Sequence, residues 1–465
     1  MATISSDVYY ALAPQPASAV DLVAPMLGIF ALPLSVAQHI FALLPVDTRA
    51  RAALVCRAWR DALADPCRWT RLDLSLTSGV TCALDDETFR VIAARARGQL
   101  DTVLLNQRYE NVSDRVRLEV VVKNAGTLRE LDCVCGSAYS FRVLHVNTVE
   151  QVARAAPQLR VLRADVFASV VDVHRLQNEV PFGALRLRNL EMSAHGRGQQ
   201  FSDAYVLALA AAVPLHASLR QLTLTTVLLR TPAVLDAVVA AALAGGLQSL
   251  ELVGCGLLPA SVPALARIVR GGKLTSLMVT NHNEPLFDAA GAMQLADAIA
   301  SSRTLQRLRL WAVRLWHDPA VFAALLHAVT GHPTLQALEL HFDAPPDEKA
   351  AGAALAAVVA ANSPALRELN VRNTPLRNEG MRPLLEALVE NTHLQKLECC
   401  RVYMEDEFAR NIFLPAVRAN TSLRALRAFF YLREEVETDN EDDVLQRPAL
   451  REAEELVAAR ARRAR

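Results

Sequence analysis

The chain has 465 residues, of which 52% are hydrophobic and 21% charged, with 49 basic and 49 acidic side chains. That much apolar material excludes disorder over most of the length and suffices for a substantial core. A formal charge of zero argues against a general nucleic-acid or anionic-membrane binder, either of which draws on a basic excess.

Residues 1–29 form an N-terminal extension in which no basic stretch precedes the apolar residues, so it does not read as a secretory signal. Between Asp21 and Asp47 there is no formally charged side chain, and the length would suffice to span a bilayer. Pro25, Pro33 and Pro45, with Gln38 and His39, make it a poor membrane helix and a natural lead into a small helical module at 30–74. In that module Val36, Ile40, Phe41 and Leu44 share one helical stripe. Pro45 ends that helix, and Asp47 is placed to cap the next. Val55, Trp59 and Leu63 then recur at four-residue spacing. About forty residues in short helices cannot bury all of this apolar surface alone, so part of it is expected to meet a partner.

Leu32-Pro33, Ile40-Phe41, Leu44-Pro45, Val55-Cys56-Arg57-Ala58-Trp59-Arg60, Asp65-Pro66, Trp69 and Leu72-Asp73-Leu74 resemble the F-box, in order and close to its spacing. The resemblance implies a docking module for the Skp-type adaptor of cullin-RING ubiquitin ligases. Its implied adaptor contacts are Leu32, Pro33, Ile40, Phe41, Leu44, Pro45, Val55, Cys56, Trp59 and Trp69. It also implies a cytoplasmic or nuclear setting.

From residue 75 to 431 a repeat organises the chain. Leu-x-x-Leu-x-Leu, with occasional Val, Met, Ala or Cys, starts at Leu100, Leu128, Leu159, Leu187, Leu219, Leu247, Leu274, Leu305, Leu335, Leu366, Leu394 and Leu423, at intervals of 27 to 32 residues. The first, fourth and sixth positions point inward, the last two at strand spacing. Stretches such as AVLDAVVAAALAG and EGMRPLLEALVEN follow at helical spacing, so each repeat is a strand plus a helix. These twelve registers resemble leucine-rich repeats of the ribonuclease-inhibitor type. The fold expected is therefore an α/β leucine-rich-repeat solenoid, a horseshoe with strands on its concave face, preceded by a small all-α F-box. The family's Asn or Cys three positions after the sixth is matched by Cys255 and Thr374 but not by Val227, Val313 or Val402.

Eight cysteines in a chain of this length do not read as a disulfide framework. Cys133-Val134-Cys135 and Cys399-Cys400 lack the spacing of a zinc site; Cys133 and Cys399 fall instead on inward sixth positions.

Target binding is expected on the outward third, fifth and seventh strand positions. Early repeats place small groups there, among them Thr102, Gln221, Thr223, Thr225 and Ser249. Later ones place Arg307, Arg309, Trp311, His341, Arg372 and Glu398, with Phe429, Phe430 and Tyr431 near the last strand. Aromatic and arginine side chains dominate interface hot spots, so the target is expected on the concave face from about the eighth repeat onward. An arginine-rich patch there suits an acidic or phosphorylated peptide.

Residues 432–465 begin with the acidic run REEVETDNEDDV, which reads as a loop, and end in a helix with Pro448 near its start and arginines at its end. No glycine-rich phosphate loop, nucleophile elbow or paired-histidine metal motif is present, and no cofactor is expected. His216, His282, His332 and His393 lie in or near turns, where solvent exposure is the ordinary expectation. The function expected is that of a non-catalytic substrate receptor of a Skp-cullin-F-box ligase, with an unidentified target protein and no membrane. The rivals are a non-degradative leucine-rich-repeat scaffold or sensor and a leucine-rich-repeat GTPase activator.

Overall fold

A computed structural model of the chain describes residues 36, 40, 41, 44, 46–73, 85–104, 112–133, 144–145, 151–152, 154–167, 189–193, 203–212, 219–229, 231–281, 286–312, 319–341, 347–371, 376–399, 404–428 and 448–463. Its strands are β1 (Arg71–Asp73), β2 (Thr102–Leu104), β3 (Glu130–Cys133), β4 (Leu144–His145), β5 (Val161–Phe167), β6 (Asn189–Ser193), β7 (Gln221–Thr225), β8 (Ser249–Val253), β9 (Ser276–Asn281), β10 (Arg307–Ala312), β11 (Ala337–His341), β12 (Glu368–Asn370), β13 (Lys396–Glu398) and β14 (Ala425–Arg427). Helices α1 (Val46–Val55) and α2 (Arg57–Ala62) precede them. Interleaved with the strands are α3 (Asp86–Ala94), α4 (Asp114–Lys123), α5 (Asp203–Ala212), α6 (Pro232–Gly245), α7 (Val262–Arg270), α8 (Ala289–Ser301), α9 (Pro319–Val329), α10 (Glu348–Ala360), α11 (Asn378–Glu390), α12 (Asp406–Phe408) and α13 (Leu414–Ala419), and α14 (Pro448–Arg463) comes last.

Among the described residues thirteen strands pair in sequence order into one sheet, with β4 set aside on β5. Neighbours are parallel, as they must be when a helix carries the chain back between them. The register is in step with the repeat: Leu277, Leu308 and Leu338 align across β9, β10 and β11. Each described first and fourth position of the repeat is buried, and so are the sixth positions from Leu224 to Ala428. Cys399 is one of these, its thiol directed at the Arg427 carbonyl at 3.7 Å. Cys255, three residues after a sixth position, donates to the Leu224 carbonyl of the preceding repeat at 3.2 Å. Burial pushes its thiol up to about 12, so it stays protonated and able to donate.

The boundary expected after residue 74 lies beyond the first strand of the sheet, because β1 pairs with β2 through Arg71–Thr102, Leu72–Val103 and Asp73–Leu104. The end of the helical module is thus the first strand of the sheet. At the other end, α14 covers the last repeat with Ala449, Leu450, Ala453 and Val457. Glu454 accepts from the Ala428 N–H at 2.8 Å, and Arg460 donates to the carbonyls of Val417 and Asn420 at 2.9 and 2.6 Å. The terminal helix is therefore docked as a cap, with its arginine neutralising the exposed carbonyl end of α13.

A polar spine holds the helix-to-strand turns. Three residues before the first leucine of a repeat stands Ser302, His332, Ser363, Asn391 or Asn420, each buried. Asn391 accepts from the Leu394 N–H at 2.7 Å and donates to the Val359 carbonyl of the preceding turn at 2.8 Å. Asn420 does the same with Leu423 and Leu388, at 2.9 and 2.8 Å. His332 copies this with its ring: Nδ1 accepts from the Leu335 N–H at 3.1 Å and Nε2 donates to the Ile299 carbonyl at 3.0 Å. The expectation of a solvated His332 is corrected by this arrangement, because a turn stacked between two others is interior. His393 is half-buried against Asn362 at 2.9 Å, and His216 and His282 lie outside the described residues.

Helices approach closely where glycine permits. Gly291, Gly352 and Gly380 each stand fourteen residues before the next repeat's first leucine. A Cβ on Gly352 would lie 1.9 Å from the Gly380 carbonyl oxygen.

Gly352→Ala is expected to lower stability by about 1–3 kcal/mol through backbone displacement, although alanine is the better helix former. Gly126→Ala, whose Cβ meets nothing within 4 Å, should change little; urea unfolding of both variants checks the pair. Burial, helped by Arg303, lowers the proton affinity of His332. Below its ordinary value of about 6.5 the unfolded chain takes up a proton that the folded chain refuses, so stability is full above that pH and declines as pH falls under it. His332→Asn should keep the spine, as Asn391 does, and flatten this decline in unfolding midpoints measured between pH 7.5 and 5.5.

Candidate interaction surfaces

The helical module turns on a short break. The chain is helical to Val55 and again from Arg57, and Cys56 between them caps α2, its sulfur accepting from the Trp59 N–H at 3.5 Å. Helix α1 starts at Val46, so Asp47 stands in its first turn and not before it. Phe41 meets Trp59 edge to face at 5.2 Å, and Leu44 packs partly buried against the same core. Of the eight large apolar side chains left exposed among the described residues, three belong to this module: Val36 at 42%, Ile40 at 37% and Val55 at 47%. Single exposed apolar residues are ordinary on a protein surface, but here three fall within twenty residues of sequence.

Two expected contacts face the other way. Phe41 and Trp69 are 3% and 2% exposed, which corrects them from adaptor contacts to internal packing. The Trp69 indole N–H donates to the Leu63 carbonyl at 2.7 Å. Its ring carries two guanidinium groups, Arg49 of α1 at 5.4 Å and Arg95 after α3 at 4.8 Å. Burial lowers the pKa of both arginines, with Asp73 of β1 opposing the shift at Arg49. One side chain thus ties the module to the first strand and helix of the solenoid.

On the concave face the third and fifth positions are described throughout β10–β14. Arg309 reaches Glu339 across the strands at 3.0 Å. Asn370 donates to Glu398 at 2.9 Å, and Lys396 lies 2.9 Å from Glu398 and 4.0 Å from Glu368. Burial pushes the Glu339 carboxyl up, Arg309 pulls it back and Glu398 adds to the rise. These residues enclose a recess of about 90 Å³ above Ala337, where the short side chain leaves room between Arg307 and Glu368. Trp311 stacks edge to face on His341 at 5.2 Å beside it. The described charge is therefore mixed, and Arg309 is already partnered; this corrects the expectation of an arginine-rich patch. Earlier repeats are less open than expected, since Thr102 and Thr223 are 8% and 5% exposed.

Leu32, Pro33, Pro45, Arg372, Phe429, Phe430, Tyr431, Thr374, Val313 and Val402 lie outside the described residues, as does the acidic run after Arg433. No described helix is long and apolar enough to cross a membrane. The spine residues escaped the sequence reading, although a polar residue recurring three places before the leucine is a legible signal.

Residues 29–75 match the F-box-like family model. No curated protein is similar enough to the chain to count as a match. Among solved structures, the Rad7–Elc1 complex in yeast is 13% identical, with a TM-score of 0.41, and the match covers 91% of this chain and 97% of that one. A Bacteroides fragilis protein is 16% identical, with a TM-score of 0.35 and coverage of 55% and 68%. Leiomodin-1 actin-binding site 2 is 13% identical, with a TM-score of 0.25 and coverage of 44% and 90%.

Trp69→Phe keeps the ring and removes the indole donor, so it should cost about 1 kcal/mol in urea unfolding; Trp69→Ala should cost about 3–5 kcal/mol. If Trp69 packs internally, the Phe variant keeps whatever affinity the module has for a partner.

Proposed function

We propose that this chain, which carries an F-box-like module at residues 29–75 and a strand–helix solenoid behind it, is the substrate-binding receptor of a Skp-cullin-F-box ubiquitin ligase. The observation that carries this reading is the F-box match together with the exposed apolar Val36, Ile40 and Val55. An adaptor groove that covers these side chains removes their remaining exposed surface from water, each gaining about 1 kcal/mol because less than half of it is still exposed. Leu32, Pro33 and Pro45 extend the same surface in the reading from the F-box resemblance, with Leu44, Cys56 and Trp59 supporting it from beneath.

The solenoid holds the target on its concave face. Arg307, Arg309, Trp311, His341 and Glu398 belong to that surface, and Arg372 and Phe429 extend it in sequence. The receptor contributes no reacting group and needs no cofactor; its effect is proximity. Strand β1 joins the module to the sheet by strand pairing, without a linker between β1 and the solenoid edge. A target lysine is then held near the transferring enzyme at an effective concentration set by a stiff spacer. The setting we infer is cytoplasmic or nuclear.

Co-purification of the full chain with a Skp-type adaptor tests the reading. Ile40→Asp combined with Val55→Asp is expected to weaken the complex by at least about tenfold, since both burial terms are lost. Circular dichroism of the double variant should be unchanged, because both side chains are exposed. Failure of the unmodified chain to hold any adaptor would leave a non-degradative repeat scaffold.

A further inference from the structure

The concave face from β10 to β14 carries an ordered pattern of charge. In the fifth-position row the strands present Arg309, Glu339, Asn370, Glu398 and Arg427, and the registers place them side by side. The row reads cation, anion, neutral, anion, cation. The third-position row adds Arg307 to the cationic β10, while Glu368 and Lys396 fall over β12 and β13. Thus β10 has two cations, β11 to β13 have three carboxylates against one lysine, and β14 has one cation.

Two of the carboxylates are sunk into the surface. The Glu339 and Glu398 side chains are 19% and 12% exposed, whereas their cations Arg309 and Lys396 are both 41% exposed. Asn370 lies between the two carboxylates and is bonded to one of them. Burial, the largest effect, raises the proton affinity of Glu339 and the Glu398 charge raises it further, against Arg309, Lys396 and the Trp311 side chain, which favour the charged form. The recess above Ala337 opens beside this pair. A further cation arriving over Asn370 would serve both carboxylates together.

We propose that this face takes an extended target segment of mixed charge that crosses the strands, with a basic side chain over Asn370 and acidic side chains toward Arg307 and Arg309 on one flank and Arg427 on the other. This rests on the reading of the solenoid as the target-holding part. Strands lie about 4.8 Å apart, so each cationic flank is about 10 Å from β12. An extended segment rises about 3.3 Å per residue, which places the complementary side chains three residues apart. The sequence pattern recognised is acidic-x-x-basic-x-x-acidic. A uniformly acidic or phosphorylated peptide meets three carboxylates at the centre of the face and is disfavoured there.

Fluorescence anisotropy on the full chain at low salt tests this with three labelled glycine-spaced peptides: Asp, Arg, Asp at the three positions; the inverse Arg, Asp, Arg; and Asp at all three. The first should bind at least about fivefold more tightly than either of the others, the size that a few partly exposed charge pairs supply. Arg307→Glu, at an exposed position, should weaken the first peptide about threefold, and Glu339→Gln should reduce its advantage over the all-acidic peptide. Circular dichroism accompanies both variants. Equal or tighter binding of the inverse or all-acidic peptide overturns the proposal, and so does failure of all three to bind. Co-purification with the adaptor is read separately: peptide selectivity without adaptor binding removes the ligase reading and keeps this one, and the converse removes this one alone.

Discussion

Leu308 and Leu310 are buried in β10, with β9 and β11 paired on either side, inside one core that runs through the neighbouring repeats. The described leucines of the pattern belong to that same core, and in such a stacked array a single strand and helix is not stable alone, so each repeat depends on its neighbours. Stacking solves the problem in the middle and moves it to the ends. The first repeat would offer a raw strand edge and bare core, and so would the last. Both features specific to this chain answer that constraint. Residues 46–73 supply β1 and the Trp69 clamp at one end, and α14 supplies Leu450, Val457, Glu454 and Arg460 at the other.

The N-terminal solution has a functional consequence. A docking module joined by a loose linker would sweep a large volume and dilute any proximity effect. Here the module closes the solenoid, and the Trp69 ring meets a guanidinium from each part. Stability and geometry therefore draw on the same side chain. The module leaves Val36, Ile40 and Val55 in water while Phe41, Leu63 and Trp69 supply its interior.

The turns show how a polar group can serve a core. Helix ends leave carbonyls and N–H groups without partners, and stacking removes the water that would otherwise satisfy them. Ser302, Asn391, Asn420 and the neutral His332 fill that need by accepting from one turn, the last three also donating to the turn before, and Ser363 donates to the His332 carbonyl. A second series works beside it: the hydroxyls of Thr304, Thr334 and Ser422 donate to the carbonyls of Leu274, Leu305 and Leu394 at 3.0, 2.8 and 2.8 Å. The concave face, free of this duty, can carry charge of both signs.

The sequence by itself determined what repeats. The leucine registers, the helical stretches and the F-box residues follow from local periodicity, and strand and helix positions came out as expected because apolar spacing dictates which face is buried. It also located the exposed Ile40 and Val55, since an apolar excess in a short helical module has nowhere else to go. Tertiary structure alone decided which of those apolar residues turn inward: Phe41 and Trp69 belong to the same motif as Ile40, and what separates them is the packing of Phe41 on Trp59 of α2 and of Trp69 under Arg49 and Arg95. It likewise decided that His332 is buried, that Gly352 must lack a side chain, and that Arg309 is paired. Each of these depends on a neighbour about thirty residues away in sequence and one strand spacing away in space, and no local pattern contains that distance.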